Sequence, residues 1–348
     1  MVKVDIRSNG KQVLVRTPED DKNNFSFLEI IDRVDKFPQD FSQIKSFQDN
    51  VYYLTTHDDI KVGFVFQFVI DQLKALVPSN LLDATFTLNE ISHQLIFKSS
   101  DFETRNKQID EIGLILHESS ECKLEALKAW RNEKYAIWIK QTPYVLIERA
   151  LSGPFGIITH GSHINGYVTD PVTQEVKFWI PRRSATKPTW PLMLDNIIAG
   201  GLGYPYGPYE TAIKESLEEA NLEKEIIEKY IESAGVVTYF HYAGDASKDN
   251  FDSEGSYIVG EAEFIYDLHL PHDIIPRPND GEVDSFNLMT LEETIHALQN
   301  KEFKPNCGLV MIDFLIRNGY INAENEPNFI TISNKMHRHL PFPTIASV

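Results

Sequence analysis

Three glutamates, Glu215, Glu218 and Glu219, stand at i, i+3 and i+4 in a segment whose apolar residues repeat with helical spacing. Pro208 suits the first turn of a helix and Gly207 can precede it as a cap, so the pattern predicts a helix over about 208–221. On that helix Tyr209, Ile213, Leu217 and Ala220 share one face, and the three acids share the opposite one. Like charges at this spacing repel one another. They become favourable together when a hard divalent cation or protons neutralise them. A glycine-rich turn, Gly200-Gly201-Leu202-Gly203, comes just before the helix, where backbone can approach a ligand closely.

A second group of residues has the opposite charge. Lys177, Arg182, Arg183 and Lys187 form four bases with no acid between Glu175 and Asp195, inside an otherwise acidic half of the chain. Arginine pairs with phosphate oxygens in bidentate fashion, so Arg182, Arg183 and Lys187 are candidate anion contacts. Trp190 could stack on a heteroaromatic ring, and His163, Asn165 and Tyr167 could line the same pocket; a core role competes for each of these four. Glu282, in Asp280-Gly281-Glu282-Val283 at an expected strand start, is the candidate distant acid, as ligand or general base.

The elements that must carry these residues read as two units. Residues 1–24 look like a flexible arm. Residues 25–145 read as a small α+β unit: helices near Phe25, over about 60–76 and over 102–117, and strands over 84–88 and 93–97. Residues 146–320 read as a mixed α and β unit, with three short strands at 155–158, 163–168 and 176–180. The helix over 208–221 and a second helical stretch to about 233 follow. Strands near 235–241, 257–266 and 283–289 and helices over 291–298 and 306–318 complete it. Residues 321–348 form a C-terminal extension. This is an α+β or layered α/β/α organisation.

Composition bounds the function. Of 348 residues, 51 are acidic and 33 basic, giving a formal charge of −18, and residues 201–300 alone hold 21 acids against 5 bases. A nucleic-acid binder needs a basic footprint at domain scale, which is missing here. No run approaches the roughly 18 apolar residues of a membrane span. The N-terminus lacks the apolar segment of a secretory signal, and two cysteines, Cys122 and Cys307, cannot frame a disulfide fold. A soluble, reduced, cytoplasmic protein is expected, with a mitochondrial fraction open and monomer or homodimer undetermined.

Ala199-Gly200-Gly201-Leu202 followed by Glu210-Thr211-Ala212-Ile213-Lys214-Glu215-Ser216-Leu217-Glu218-Glu219-Ala220-Asn221-Leu222 resembles a Nudix box. With the first glycine of that pattern at Gly200, the Arg-Glu pair falls on Lys214-Glu215 and the Glu-Glu pair on Glu218-Glu219, without a gap. Four positions depart: Tyr206 stands for Glu, Lys214 for Arg, Ser216 for an apolar residue and Asn221 for Gly. A longer resemblance adds Gly161-Ser162-His163-Ile164-Asn165-Gly166-Tyr167, Phe178 to Pro191, Pro278 to Val283 and Leu340-Pro341-Phe342-Pro343-Thr344. It is to the Nudix subgroup related to the N-terminal half of fungal thiamine pyrophosphokinase fusions, in which another domain precedes the Nudix domain.

The resemblance implies a Nudix α/β/α sandwich with a mixed sheet, preceded by a smaller α+β domain. It implies a hydrolase that uses Mg²⁺, or Mn²⁺, on a small-molecule diphosphate: a thiamine diphosphate derivative, especially an oxidised or damaged form. The metal set would be Glu215, Glu218, Glu219 and the Gly200 carbonyl, with Lys214 and Glu282 beside it. Nucleotide sugars or ADP-ribose are the alternative substrates. A catalytically silent ligand-binding regulator is the alternative of another class, which Tyr206 and Lys214 favour.

Overall fold

The computed structural model describes residues 2–7, 10–243, 251 and 257–345. Parts of the expected arm (1, 8–9) and of the expected C-terminal extension (346–348) lie outside the described residues.

The C-terminal half is built on a six-stranded mixed sheet. Its strand order is Ile231–Ala243, Tyr257–His269, Ile158–Thr169, Val176–Arg183, Val283–Thr290, with the short strand Ile198–Gly201 added beside Ile158–Thr169. Tyr257–His269 runs parallel to Ile158–Thr169 and the other pairings are antiparallel. The two-residue period of a strand sends neighbours to opposite faces, and two cores result. Phe178, Ile180, Tyr239 and Ile265 pack against the helices Leu291–Gln299, Pro305–Arg317 and Phe329–Met336. Trp179, Ile164, Val168 and Leu268 pack against Pro208–Ala220 and Lys224–Tyr230. Helices therefore cover both faces, the α/β/α layering expected from sequence.

The N-terminal half has a four-stranded sheet, in the order Lys61–Phe66, Val51–Thr55, Gln94–Phe97, Phe86–Asn89, with helices Gln67–Leu76, Ser79–Thr85 and Phe102–Glu118. A separate hairpin, Lys134–Ile139 with Thr142–Glu148, leads into the C-terminal half. The core of this unit does not stop at residue 145. Phe37, Phe47 and Phe64 form one cluster with Phe155, Phe240, Tyr242, Phe251 and Phe342. At the seam Phe64 N–H donates to Gly156 O at 3.2 Å. A Cβ on Gly156 would lie 2.1 Å from Phe64 O, so only glycine permits this approach.

Several sequence expectations change. Residues 3–22, expected as a loose arm, form the hairpin Lys3–Ile6 and Gln12–Val15 and the helix Pro18–Lys22. Buried Val2 and Leu14 join the core that also holds Phe27, Ile30 and Ile31, so the first residues pack on the C-terminal unit. The helix expected over 60–76 splits into a strand and a helix at Phe66/Gln67, because Val62 to Phe66 is a β-branched and aromatic run buried throughout. The strands expected at 155–158 and 163–168 give way to one strand, Ile158–Thr169. Its glycines are not turns but points of close approach, since a Cβ on Gly166 would lie 2.5 Å from Ile197 Cδ1. The helix after the box ends at Tyr230, and the next strand starts at Ile231 and bulges at Gly235, where φ is +120°. Among the described residues no helix is long and apolar enough to cross a membrane.

Candidate active site

The helix Pro208–Ala220 is capped as its sequence suggests. Gly207 is the N-cap, Pro208 sits in the first turn, and the Glu210 carboxylate accepts the Gly207 N–H at 3.0 Å. Asn221 ends the helix in the left-handed region at φ 53°, and its N–H and that of Leu222 donate to Leu217 O and Ser216 O. Ser216, at a position that is apolar in the box pattern, is buried and donates to Ala212 O at 2.6 Å, which satisfies the hydroxyl within the helix. Tyr206 is 45% exposed.

This helix lies against the glycine strand. Ser162 Oγ donates to Pro208 O at 2.6 Å, and a Cβ on Gly200 would lie 2.3 Å from Glu215 Cγ. The missing side chain at Gly200 is thus what lets Glu215 lie on the strand. One turn further on, Glu219 is buried and accepts the Ala199 N–H at 3.1 Å. Burial, then the charges of Asp195 and Glu215, push the Glu219 carboxyl up to about 8. Burial also raises Glu215, although the neighbouring Lys214 ammonium opposes the shift. Lys214 bridges Glu215 at 3.0 Å and Glu218 at 2.7 Å. Among the described residues, no three acidic, histidine or cysteine side chains already converge on a metal position, and Lys214 pairs with two of the three acids. The donor set still fits a hard divalent cation in kind, and a carboxylate pushed up to about 8 by burial and by neighbouring carboxylates is what such a cation would neutralise.

Along the same glycine strand, with Ala199, Gly200 and Gly201 in its lining, lies a cavity of about 850 Å³. Glu261 and Glu263 face into it from the strand Tyr257–His269, beside His163 and Tyr239. The two acids, at i and i+2, fall on the same side of their strand, within a run that is otherwise apolar. That alternation was readable in Gly260-Glu261-Ala262-Glu263-Phe264, but nothing in the sequence set it beside Gly161 and Gly201. In the sheet Gly161 stands between Glu263 and Gly201, and a Cβ there would lie 2.0 Å from Glu263 Oε2. Glu263 Oε1 accepts from Tyr239 Oη at 3.1 Å, while its buried Oε2 has no hydrogen-bond partner and lies 3.5 Å from His163 Nε2. Burial pushes His163 down and Glu263 up, but their mutual attraction wins in both, leaving the imidazole well above and the Glu263 carboxyl well below their usual ranges. Burial and the Glu263 charge push Glu261 up to about 8.

The expected anion contacts are largely committed elsewhere. Arg183 is buried, with each guanidinium nitrogen engaged: Asp195 at 2.6 Å, Trp190 O at 3.0 Å and Thr189 O at 2.9 Å. It shapes the loop that carries Trp190 instead of facing a ligand. Arg182 donates to Leu192 O at 2.8 Å. Lys187 pairs with Glu282, whose other oxygen lies 3.8 Å from Arg131. Glu282, the expected distant acid, is therefore held between two cations, with Lys187 also acting electrostatically on Glu219. Trp190 and His163 do line the cavity. Asn165 and Tyr167 do not: Asn165 bonds Asn196 and Asp267, and Tyr167 stacks on His269 and meets Phe314 edge-on. They sit further along the same strand face, beneath the helix Pro305–Arg317. The hairpin and its flanks supply residues that sequence reasoning missed, among them Arg131, Tyr135 and Arg149.

No family model matches the chain. It is 58% identical over 344 residues to Uncharacterized protein YJR142W of Saccharomyces cerevisiae, an alignment covering 99% of this chain and 100% of the relative. It is 35% identical to Nudix hydrolase 24, chloroplastic, of Arabidopsis thaliana, over 59% of this chain; the chain spans only about half, 53%, of that relative's length. It is 31% identical to Uncharacterized Nudix hydrolase all7351 of Nostoc, over 35% of this chain and 72% of the relative. The chain belongs to the Nudix hydrolase family, whose members cleave diphosphate bonds.

Proposed function

We propose that this hydrolase cleaves the diphosphate of thiamine diphosphate derivatives, oxidised or damaged forms above all, to the monophosphate and inorganic phosphate, with Mg²⁺. The observation that carries the reading is a cavity of about 850 Å³ in which Trp190, Tyr135, Tyr239 and Tyr257 stand beside a carboxylate cluster. Aromatic faces suit a heteroaromatic cation by stacking and by cation–π attraction. The resemblance of residues 161–167 and 178–191 to the thiamine-linked Nudix subgroup points the same way.

Glu215 and Glu219 are the residues that would hold the divalent cation, with Glu218 once Lys214 yields it and with the Gly200 carbonyl. Bound there, the cation would screen the phosphate charges and lower the pKa of attacking water. Glu263 is the strongest candidate for the distant base. It is buried, and its Oε2, 3.5 Å from His163, has no hydrogen-bond partner beside the glycine strand; the attraction to His163 that keeps it ionised also makes it a weaker base than an ordinary carboxylate. His163 keeps Glu263 charged, and Asn196 fixes the ring through its Nδ1 at 2.8 Å. Lys214 holds Glu215 and Glu218 apart from each other's charge.

The test is a comparison of kcat/KM for thiamine diphosphate, its oxo and oxy analogues, ADP-ribose and a nucleotide sugar, with Mg²⁺. A preference of at least tenfold for an oxidised thiamine compound supports the assignment. A preference for ADP-ribose or the nucleotide sugar would keep the hydrolase and remove thiamine.

A further inference from the structure

Four lysine and arginine side chains line the large cavity: Lys128 and Arg131 from the N-terminal unit, Arg149 just after its hairpin, and Lys304 from the cap of the helix Pro305–Arg317. Two of them are already used. Lys128 pairs with Glu125, and Arg149 pairs with Glu133 at 2.8 Å. The other two are not. The Arg131 guanidinium has one loose contact, 3.8 Å to Glu282, although its backbone is anchored where its N–H donates to the buried Glu148 at 3.0 Å. The half-buried Lys304 ammonium has no hydrogen-bond or ion-pair partner among the described residues; the acids acting on it, Asp195 and Glu261, do so from beyond bonding distance.

A cavity walled by Glu261 and Glu263 would repel an anion unless cations compensate. His163 is taken by Glu263, and Arg182, Arg183 and Lys187 by other partners, which leaves Arg131 and Lys304 positioned to do so. We propose that Arg131 and Lys304 hold the phosphoryl oxygens of a diphosphate ligand in this cavity, so that the N-terminal unit completes the substrate site of the C-terminal unit. This rests on the diphosphate reading above and adds to it the residues that take the phosphates. Arginine would contribute a planar fork and lysine a point charge, the two usual ways of binding phosphate.

The test is isothermal titration of the full chain with inorganic pyrophosphate in the presence of Mg²⁺. Arg131→Gln and Lys304→Gln should each weaken binding about tenfold, the loss expected for one charge-assisted contact. Arg131→Lys should recover most of the loss, and Lys128→Gln, at a cavity-lining lysine already paired with Glu125, should bind as the wild type does. Thermal midpoints, measured in parallel, should stay close to wild type for Arg131→Gln, whose side chain supports little of the fold. The proposal is overturned if Arg131→Gln binds pyrophosphate as the wild type does, if Lys128→Gln weakens it equally, or if the wild type does not bind it. Failure of the hydrolase reading shows separately, as absent turnover of any diphosphate by a wild type that still binds pyrophosphate.

Discussion

Glu263 and Glu282 differ in burial. Glu282 lies part-exposed between Lys187 and Arg131, whereas Glu263 is buried, with its Oε2 in no hydrogen bond and 3.5 Å from His163, beside Gly161 and Gly201. Buried polar atoms left unpaired in a native fold are uncommon and mark working groups. Glu263→Gln should lower kcat at least a hundredfold and Glu282→Gln less than tenfold, by steady-state phosphate release; the reverse order would restore Glu282 as the base. His160 makes a second residue-scale prediction. Burial brings its pKa down to about 4, against a charge from Glu263 that favours the cation, and its Nε2 accepts the Ile345 N–H at 3.1 Å. The folded pKa is depressed, so this contribution is present above the unfolded value near 6.5 and is lost as pH falls towards about 4. It amounts to about 3 kcal/mol at most. His160→Gln should therefore lose less thermal stability than wild type between neutral pH and about pH 4, and parallel loss in both proteins would refute the assignment.

The strand Ile198–Gly201 and the helix Pro208–Ala220 work as one piece, because Gly200 has no side chain to hold them apart. Gly200→Ala would place a Cβ 2.3 Å from Glu215 Cγ, a mid-chain atom that must move. Turnover should fall at least tenfold while circular dichroism stays that of a folded protein, since overpacking of this kind typically costs about 1–3 kcal/mol. Unchanged kcat in the Gly200→Ala variant would show that Glu215 need not lie on the strand. This helix was legible in the sequence from Pro208, the acid spacing and Asn221, which are local signals. The partner acids Glu261 and Glu263 were not, because their importance comes from sheet register across Gly161 and not from their own neighbours in sequence. The same limit applies to Arg183: a base in an acid-free stretch reads as an anion contact, and only the fold reveals Asp195 and two carbonyls closing around it.

Across the whole molecule the two sheets share one aromatic core. Phe64 touches Phe240 and Phe342, and Gly156 admits the Phe64 backbone. The boundary read at residue 145 separates compositions but not cores, since side chains from 37 to 342 meet in one cluster. Thermal unfolding should accordingly be a single cooperative transition by calorimetry and by tryptophan fluorescence together, and two resolved transitions would contradict a shared core. The same union brings Arg131, Tyr135 and Arg149 to a cavity whose acids belong to the other sheet. The central claim is that carboxylates gathered around a glycine strand run a cation-dependent diphosphatase. Its most direct test is phosphate release from an oxidised thiamine diphosphate as Mg²⁺ is titrated, in wild type and in Glu219→Gln. The account predicts turnover that requires the cation and drops at least a hundredfold in the variant. Turnover without Mg²⁺, or unchanged in Glu219→Gln, would contradict it.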